Sequence, residues 1–176
     1  MSDAGTVARG ARAEDAAGKD PTREAWQVAA AVLDPELPVL TIADLGVLRD
    51  VRVDHTGRVE VVITPTYSGC PAMDAIRADI RAALVGHGFG DVTVTTVLSP
   101  PWTTDWISDA GRTALREYGI APPARRGGPV LVPLTVRCPR CGSTDTRQVS
   151  RFGSTACKSL RACNACLEPF EHVRTL

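Results

Sequence analysis

Cys138-Pro-Arg-Cys141-Gly142 and Cys163-Asn-Ala-Cys166, with 21 residues between Cys141 and Cys163, decide how the C-terminal part of this chain folds. A Cys-x-x-Cys loop sets two sulfurs on one side of a tight turn, and a glycine after the second cysteine permits the knuckle. Two knuckles on facing hairpins offer four soft ligands in a tetrahedron, the set a structural zinc site needs. The spacing is slightly longer than the commonest template, and a β-hairpin fills it. Rubredoxin-like iron or an iron–sulfur cluster draws on the same four-thiolate chemistry. A module of this size cannot fold by apolar burial alone, whereas structural zinc contributes about 10–16 kcal/mol in finger peptides. The expected metal ligands are therefore Cys138, Cys141, Cys163 and Cys166, with zinc as the expected metal.

Between the knuckles lies Phe152-Gly-Ser-Thr-Ala-Cys157-Lys158. Cys157 reads as an exchangeable further ligand, a reactive thiol beside Lys158, or a small buried hydrophobe. Upstream, residues 121–134 are rich in proline and glycine and read as a linker between residues 21–120 and a ribbon over 135–176. Residues 1–20 mix Ala, Gly, Ser, Asp and Arg without apolar period and read as a disordered tail.

Residues 21–120 read as a small α+β domain: helix, β-hairpin, helix, strand, helix. Asp20-Pro21 is a good helix start, and Trp26, Ala29, Ala30 and Leu33 recur at helical spacing up to Asp34-Pro35. Val47–Asp54 and Arg58–Thr64 read as strands joined at His55-Thr-Gly57. A second helix from Pro71 to about Val85 presents Met73, Ile76, Ile80, Ala83 and Leu84 on one stripe. Val92–Leu98 is a third strand, and Ser108 caps a last helix with Leu115 and Tyr118 expected to face inward.

The chain is 44% hydrophobic and 23% charged with net charge zero, which excludes collagen-like and wholly disordered classes. The neutrality hides an asymmetry: from Thr135 onward seven basic and three acidic residues leave the ribbon at +4 and the rest at −4. A basic ribbon on an acidic body suits an acidic protein, nucleic acid or its own body. No run approaches a transmembrane span, and the N-terminus lacks a signal-peptide apolar region. Cysteines paired as Cys-x-x-Cys in such a chain point to metal and to the cytoplasm.

Thr64-Pro-Thr-Tyr-Ser-Gly-Cys70-Pro71 follows a strand and opens a helix. Pro71 suits the first helical position, so Cys70 is expected at the N-cap, where free amides favour a thiolate. Asp34, Glu36 and Asp44, from the loop before the first strand, are placed to approach the same sheet end. Trp102 and Trp106 read as core covers before they read as ligand platforms. The three histidines share no ligand spacing, and no phosphate loop, dinucleotide fingerprint or Ser/His/Asp arrangement is present.

Asp34-Pro-Glu36, Thr41-Ile-Ala-Asp-Leu-Gly46 and Thr66 through Cys70-Pro71 resemble the SufT-like iron–sulfur assembly family. With Pro101-Trp-Thr-Thr-Asp-Trp106 and Phe152-Gly-Ser-Thr-Ala-Cys157-Lys158, the chain from about Glu24 to Val173 resembles the PaaD family within it. That resemblance implies an auxiliary protein of aerobic phenylacetate degradation, supporting assembly or maturation of metal centres in the phenylacetyl-CoA 1,2-epoxidase complex. It further implies the oxygenase and reductase subunits as partners, zinc as a structural metal, and a transient iron–sulfur cluster or iron as cargo. Cys70 and Cys157 would be the cluster-transfer or reactive thiols, with Asp34, Glu36, Asp44 and Thr66 as the supporting loop. No intrinsic catalysis is expected: the chain has no Glu-x-x-His pair for a di-iron site and no flavin or nicotinamide fingerprint. Neither membrane nor nucleic acid is an expected partner. The alternative is a non-catalytic ribbon docking on an acidic protein or nucleic acid. Family members with a further cysteine near the C-terminus differ from this chain, which has Arg174-Thr-Leu176 there.

Overall fold

The structure, a computed structural model, describes residues 20–124 and 135–174. The expected tail (apart from Asp20) and most of the expected linker lie outside the described residues.

Helix α1 (Pro21–Ala30) starts as its sequence dictates: Asp20 Oδ1 accepts the Thr22 amide at 3.0 Å and Pro21 fills the first turn. Its buried face differs from the expected stripe. Ala25 and Ala29 point inward, while Trp26 is 38% exposed and Leu33, beyond the helix end, is exposed. Small side chains let the helix approach β1 closely, and closeness outweighs the burial of a larger ring here.

Strands β1 (Leu48–Val53) and β2 (Val59–Ile63) form the expected antiparallel hairpin, turning at Gly57 with φ 83°. Helix α2 (Ala72–Gly86) returns the chain to β3 (Val92–Thr96), which pairs parallel with β2. Ile76, Ile80 and Leu84 of α2 are fully buried and cover the sheet with Val59, Val61 and Ile63. Each such side chain contributes about 1.5–3 kcal/mol by leaving water. Helix α3 (Asp109–Glu117) is capped by Ser108, whose Oγ accepts the Gly111 amide at 2.8 Å. Leu115 is buried as expected, but Tyr118, past the helix end, is 60% exposed.

β4 (Ile120–Ala121) then leaves the body and pairs parallel with β7 (Pro169–Val173). With β5 (Thr146–Ser150) and β6 (Lys158–Cys163) it completes a second sheet of order β4-β7-β6-β5. The β5–β6 register shifts between Gln148 and Ser150. Val173 belongs to the same buried cluster as Ile63 and Leu115, so the ribbon packs directly on the body.

Candidate metal centre and thiol cavity

The first knuckle precedes β5, and Gly142 takes φ 76° while its amide bonds the Cys138 carbonyl at 2.9 Å. The second starts on the last residue of β6, and the Cys163 amide bonds the Glu168 carbonyl at 3.0 Å. Together they bring the sulfurs of Cys138, Cys141, Cys163 and Cys166 within 4.8 Å of one another. Cys138 and Cys166 sulfurs lie 3.8 Å apart, and those of Cys141 and Cys163 3.6 Å. Zinc–sulfur bonds of about 2.3 Å set the corners of a tetrahedron about 3.8 Å apart, so the donors fit a zinc ion. Backbone amides and neighbouring sulfurs set the thiols apart. The Cys166 amide brings the Cys163 thiol down to about 7. The Glu168 amide favours the Cys166 thiolate, yet burial and neighbouring sulfurs push that thiol up to about 12.

A second group of chemical residues meets where ribbon and body touch. Asp34 opens the loop after α1: its Oδ1 accepts the amides of Glu36 at 2.9 Å and Leu37 at 2.8 Å, fixing Glu36. The loop after β2 carries Thr66 and Cys70. From the ribbon comes Cys157, whose sulfur lies 3.8 Å from Glu36 Oε2. Asp34, Glu36, Thr66, Cys70 and Cys157 line one small cavity of about 20 Å³. Cys163 lies six residues along the strand from Cys157, about 20 Å at the usual rise, so Cys157 stands well away from the four-cysteine cluster.

Cys70 departs from expectation in two ways. Helix α2 starts at Ala72 with Pro71 before it as its cap, one residue later than expected, and Pro71 makes no side-chain cap hydrogen bond. The thiol is also not activated: burial pushes it up, Glu36 and Asp34 add to this, and the Ala72 amide and Thr66 hydroxyl offset only part. Burial likewise pushes up Cys157: the Thr155 hydrogen bond and the Lys158 charge pull it down, the Glu36 and Asp34 charges push it up, and burial decides the direction. Both carboxyls are raised as well, first by burial.

The family described as PaaD zinc beta ribbon domain matches residues 128–174, and that described as Iron-sulfur cluster assembly protein matches residues 23–96. A protein of Escherichia coli (strain K12), named as a subunit of 1,2-phenylacetyl-CoA epoxidase, is 48% identical over 153 residues, 87% of this chain and 92% of that one. This chain belongs to the PaaD family. The Fe-S protein maturation auxiliary factor SufT of Staphylococcus aureus (strain USA300) is 38% identical to this PaaD-family chain over 85 residues, 48% of this chain and 96% of that one. A crystal structure of a Domain of Unknown Function, DUF59, from Bacillus anthracis shares 29% identity and a TM-score of 0.51, covering 54% of this chain and 91% of that one.

Asp44 stands apart from the cavity of this PaaD-family protein. Its Oδ2 accepts the Thr41 hydroxyl at 2.8 Å and its Oδ1 the Ser108 hydroxyl at 2.6 Å, tying the loop to the start of α3. Trp102 is a core cover, its indole donating to the Leu45 carbonyl at 2.9 Å, while Trp106 lies under the Arg49 guanidinium at 3.7 Å. The burial and partners of two residues escaped sequence reasoning. Lys158 is buried with its ammonium 2.9 Å from Glu171. His172, half-buried beside Ser159, is driven down to about 4 by burial and then by the charge of Arg161. The alternation of β7 was a signal for the inward face, but nothing local announced what would cover it.

Proposed function

We propose that this chain is an auxiliary protein of aerobic phenylacetate degradation. It supports assembly or maturation of the metal centres, iron–sulfur or di-iron, of the phenylacetyl-CoA 1,2-epoxidase complex. The observation that carries this reading is the cavity in which Cys70 meets Asp34 and Glu36, on a body matched by an iron–sulfur assembly family and joined to a PaaD ribbon. Zinc in the four-cysteine site holds the ribbon. Cys70 is the functional thiol, and it acts on iron or a cluster passing through as substrate. Metal binding deprotonates a thiol outright, so a raised value in the metal-free protein keeps Cys70 protonated until cargo arrives. The oxygenase and reductase subunits are its partners, in a reducing cytoplasm that keeps both cavity thiols free.

Co-expression tests this. Epoxidase made without the chain should be short of iron or sulfide and of activity; a full complement of all three overturns the reading. Cys70→Ala and Cys70→Ser should retain the ribbon zinc and fail to restore activity. Rescue by serine would reduce Cys70 to a hydrogen-bonding role.

A further inference from the structure

Cys157 is carried into the cavity by the ribbon, immediately ahead of β6, yet the four-cysteine cluster does not use it. The volume of about 20 Å³ is room for one water-sized sphere, and too little for an iron–sulfur cluster as the cavity stands. Its polar lining converges from three segments: Asp34 and Glu36, Thr66 and Cys70, and Cys157. Trp102 and Val173 are among the apolar residues that close the rest. Two thiols and a carboxylate around a small, ion-sized space are a donor set for a transition metal, since thiolates disfavour magnesium and calcium.

We propose that the interface between body and ribbon is a second metal site, taking one thiophilic divalent ion such as iron(II) on Cys70, Cys157 and Glu36. The inference deepens the reading of Cys70 given above by naming its partner ligands and its cargo. Asp34 holds Glu36 in place through the amide it accepts. Lys158, the cation that acts on Asp34, Glu36 and Cys157, is engaged by Glu171 at 2.9 Å. Lys158 offsets the acids only in part, because the Asp34 charge still raises the Glu36 carboxyl, and a dication relieves that repulsion. Binding releases one proton from each thiol to solvent, forms two metal–sulfur bonds and one metal–oxygen bond, and changes no oxidation state.

The site is open rather than preassembled. Among the described residues the one group of three or more ligands within 4.8 Å of one another is Cys138, Cys141, Cys163 and Cys166, so Cys70 must draw in toward the Cys157–Glu36 pair. Gly69, exposed at φ 92° with free space about its Cα, gives that loop room to move. Reorganisation makes this site weaker than the ribbon's, as suits an ion that is passed on. It also makes the ribbon zinc a prerequisite, because β6 links Cys163 to Cys157.

The test is anaerobic titration of the full-length, zinc-loaded protein with cobalt(II), a spectroscopic stand-in for iron(II). One cobalt should bind beyond the retained zinc, with sulfur-to-cobalt charge-transfer absorption. Cys70→Ala and Cys157→Ala should each remove about half of that absorption, one thiolate of the two. Glu36→Gln, which preserves shape, should weaken binding roughly tenfold or more while zinc content stays constant. No second cobalt, cobalt without charge transfer, or full absorption in Cys157→Ala overturns the site. If cobalt fails to bind while Cys70→Ala still abolishes growth on phenylacetate, the site falls and the reading of Cys70 stands. Cobalt binding with unimpaired growth of Cys70→Ala keeps the site and removes that reading.

Discussion

Gly46 sits at φ 75°, and a Cβ built there would meet the Trp106 Cβ at 2.6 Å and carbonyl oxygen at 2.9 Å. We expect Gly46→Ala to cost the left-handed strain of roughly 1–3 kcal/mol plus the clash, read as a lower urea midpoint. His172 makes a pH prediction whose sign follows from burial. Its value falls from 6.5 unfolded to about 4 folded, so within that window only the unfolded chain takes the proton. Stability is therefore full above the unfolded value and falls as pH drops toward the folded one, by on the order of 3 kcal/mol. Acid also loosens thiolate–metal bonds, so the check compares wild type with His172→Gln at equal zinc. The variant should show the shallower slope, and parallel curves would sink the idea. At this scale the sequence was legible for residues whose neighbours are local: Asp20, Ser108, Gly57 and Gly142 all do what short-range rules ask. Cys70 was half legible. Its place at a helix start shows in Cys70-Pro71, but its burial and the carboxylates against it come from distant segments.

Among elements, β6 matters most, because it has Cys163 at one end and follows directly on Cys157 at the other. Removing the ribbon metal should therefore act along the strand. We predict that a strong chelator exposes amides of β5, β6 and β7 to hydrogen exchange while those of β2 and α2 stay protected. Loss of protection throughout both sheets would show that the ribbon metal holds the whole chain, and unchanged protection in β6 would show that it holds neither. The hairpin, the α2 stripe and the paired knuckles were plain in the sequence, since each repeats with its own period. The inward face of α1 was not. Its period fitted either a large-residue or a small-residue stripe, and only the distance to β1 selects Ala25 and Ala29. β4 is two residues long, below what any period can reveal.

For the molecule as a whole, the decisive fact is that the ribbon belongs to the body's fold rather than trailing behind it. Val173 joins the main core and β4 enters the ribbon's sheet. The sequence disclosed two modules in order but not their contact, because the contact depends on side chains up to 121 residues apart, as Cys157 and Glu36 are. One consequence concerns the far side of that sheet. Among the described residues β5 pairs only with β6, so its outer edge is a template for another strand. The register shift at Gln148–Ser150 bends this edge, and exposed Arg147 and Arg151 flank exposed Val149. Two copies meeting edge to edge would set arginine near arginine, a repulsion that works against pairing. Arg147→Val with Arg151→Val should scatter light at concentrations where the wild type stays clear, with the same urea midpoint; equal clarity would show that charge does not guard the edge. A strand that joins the sheet here must bring acidic side chains, and a second copy's β5 has none to offer.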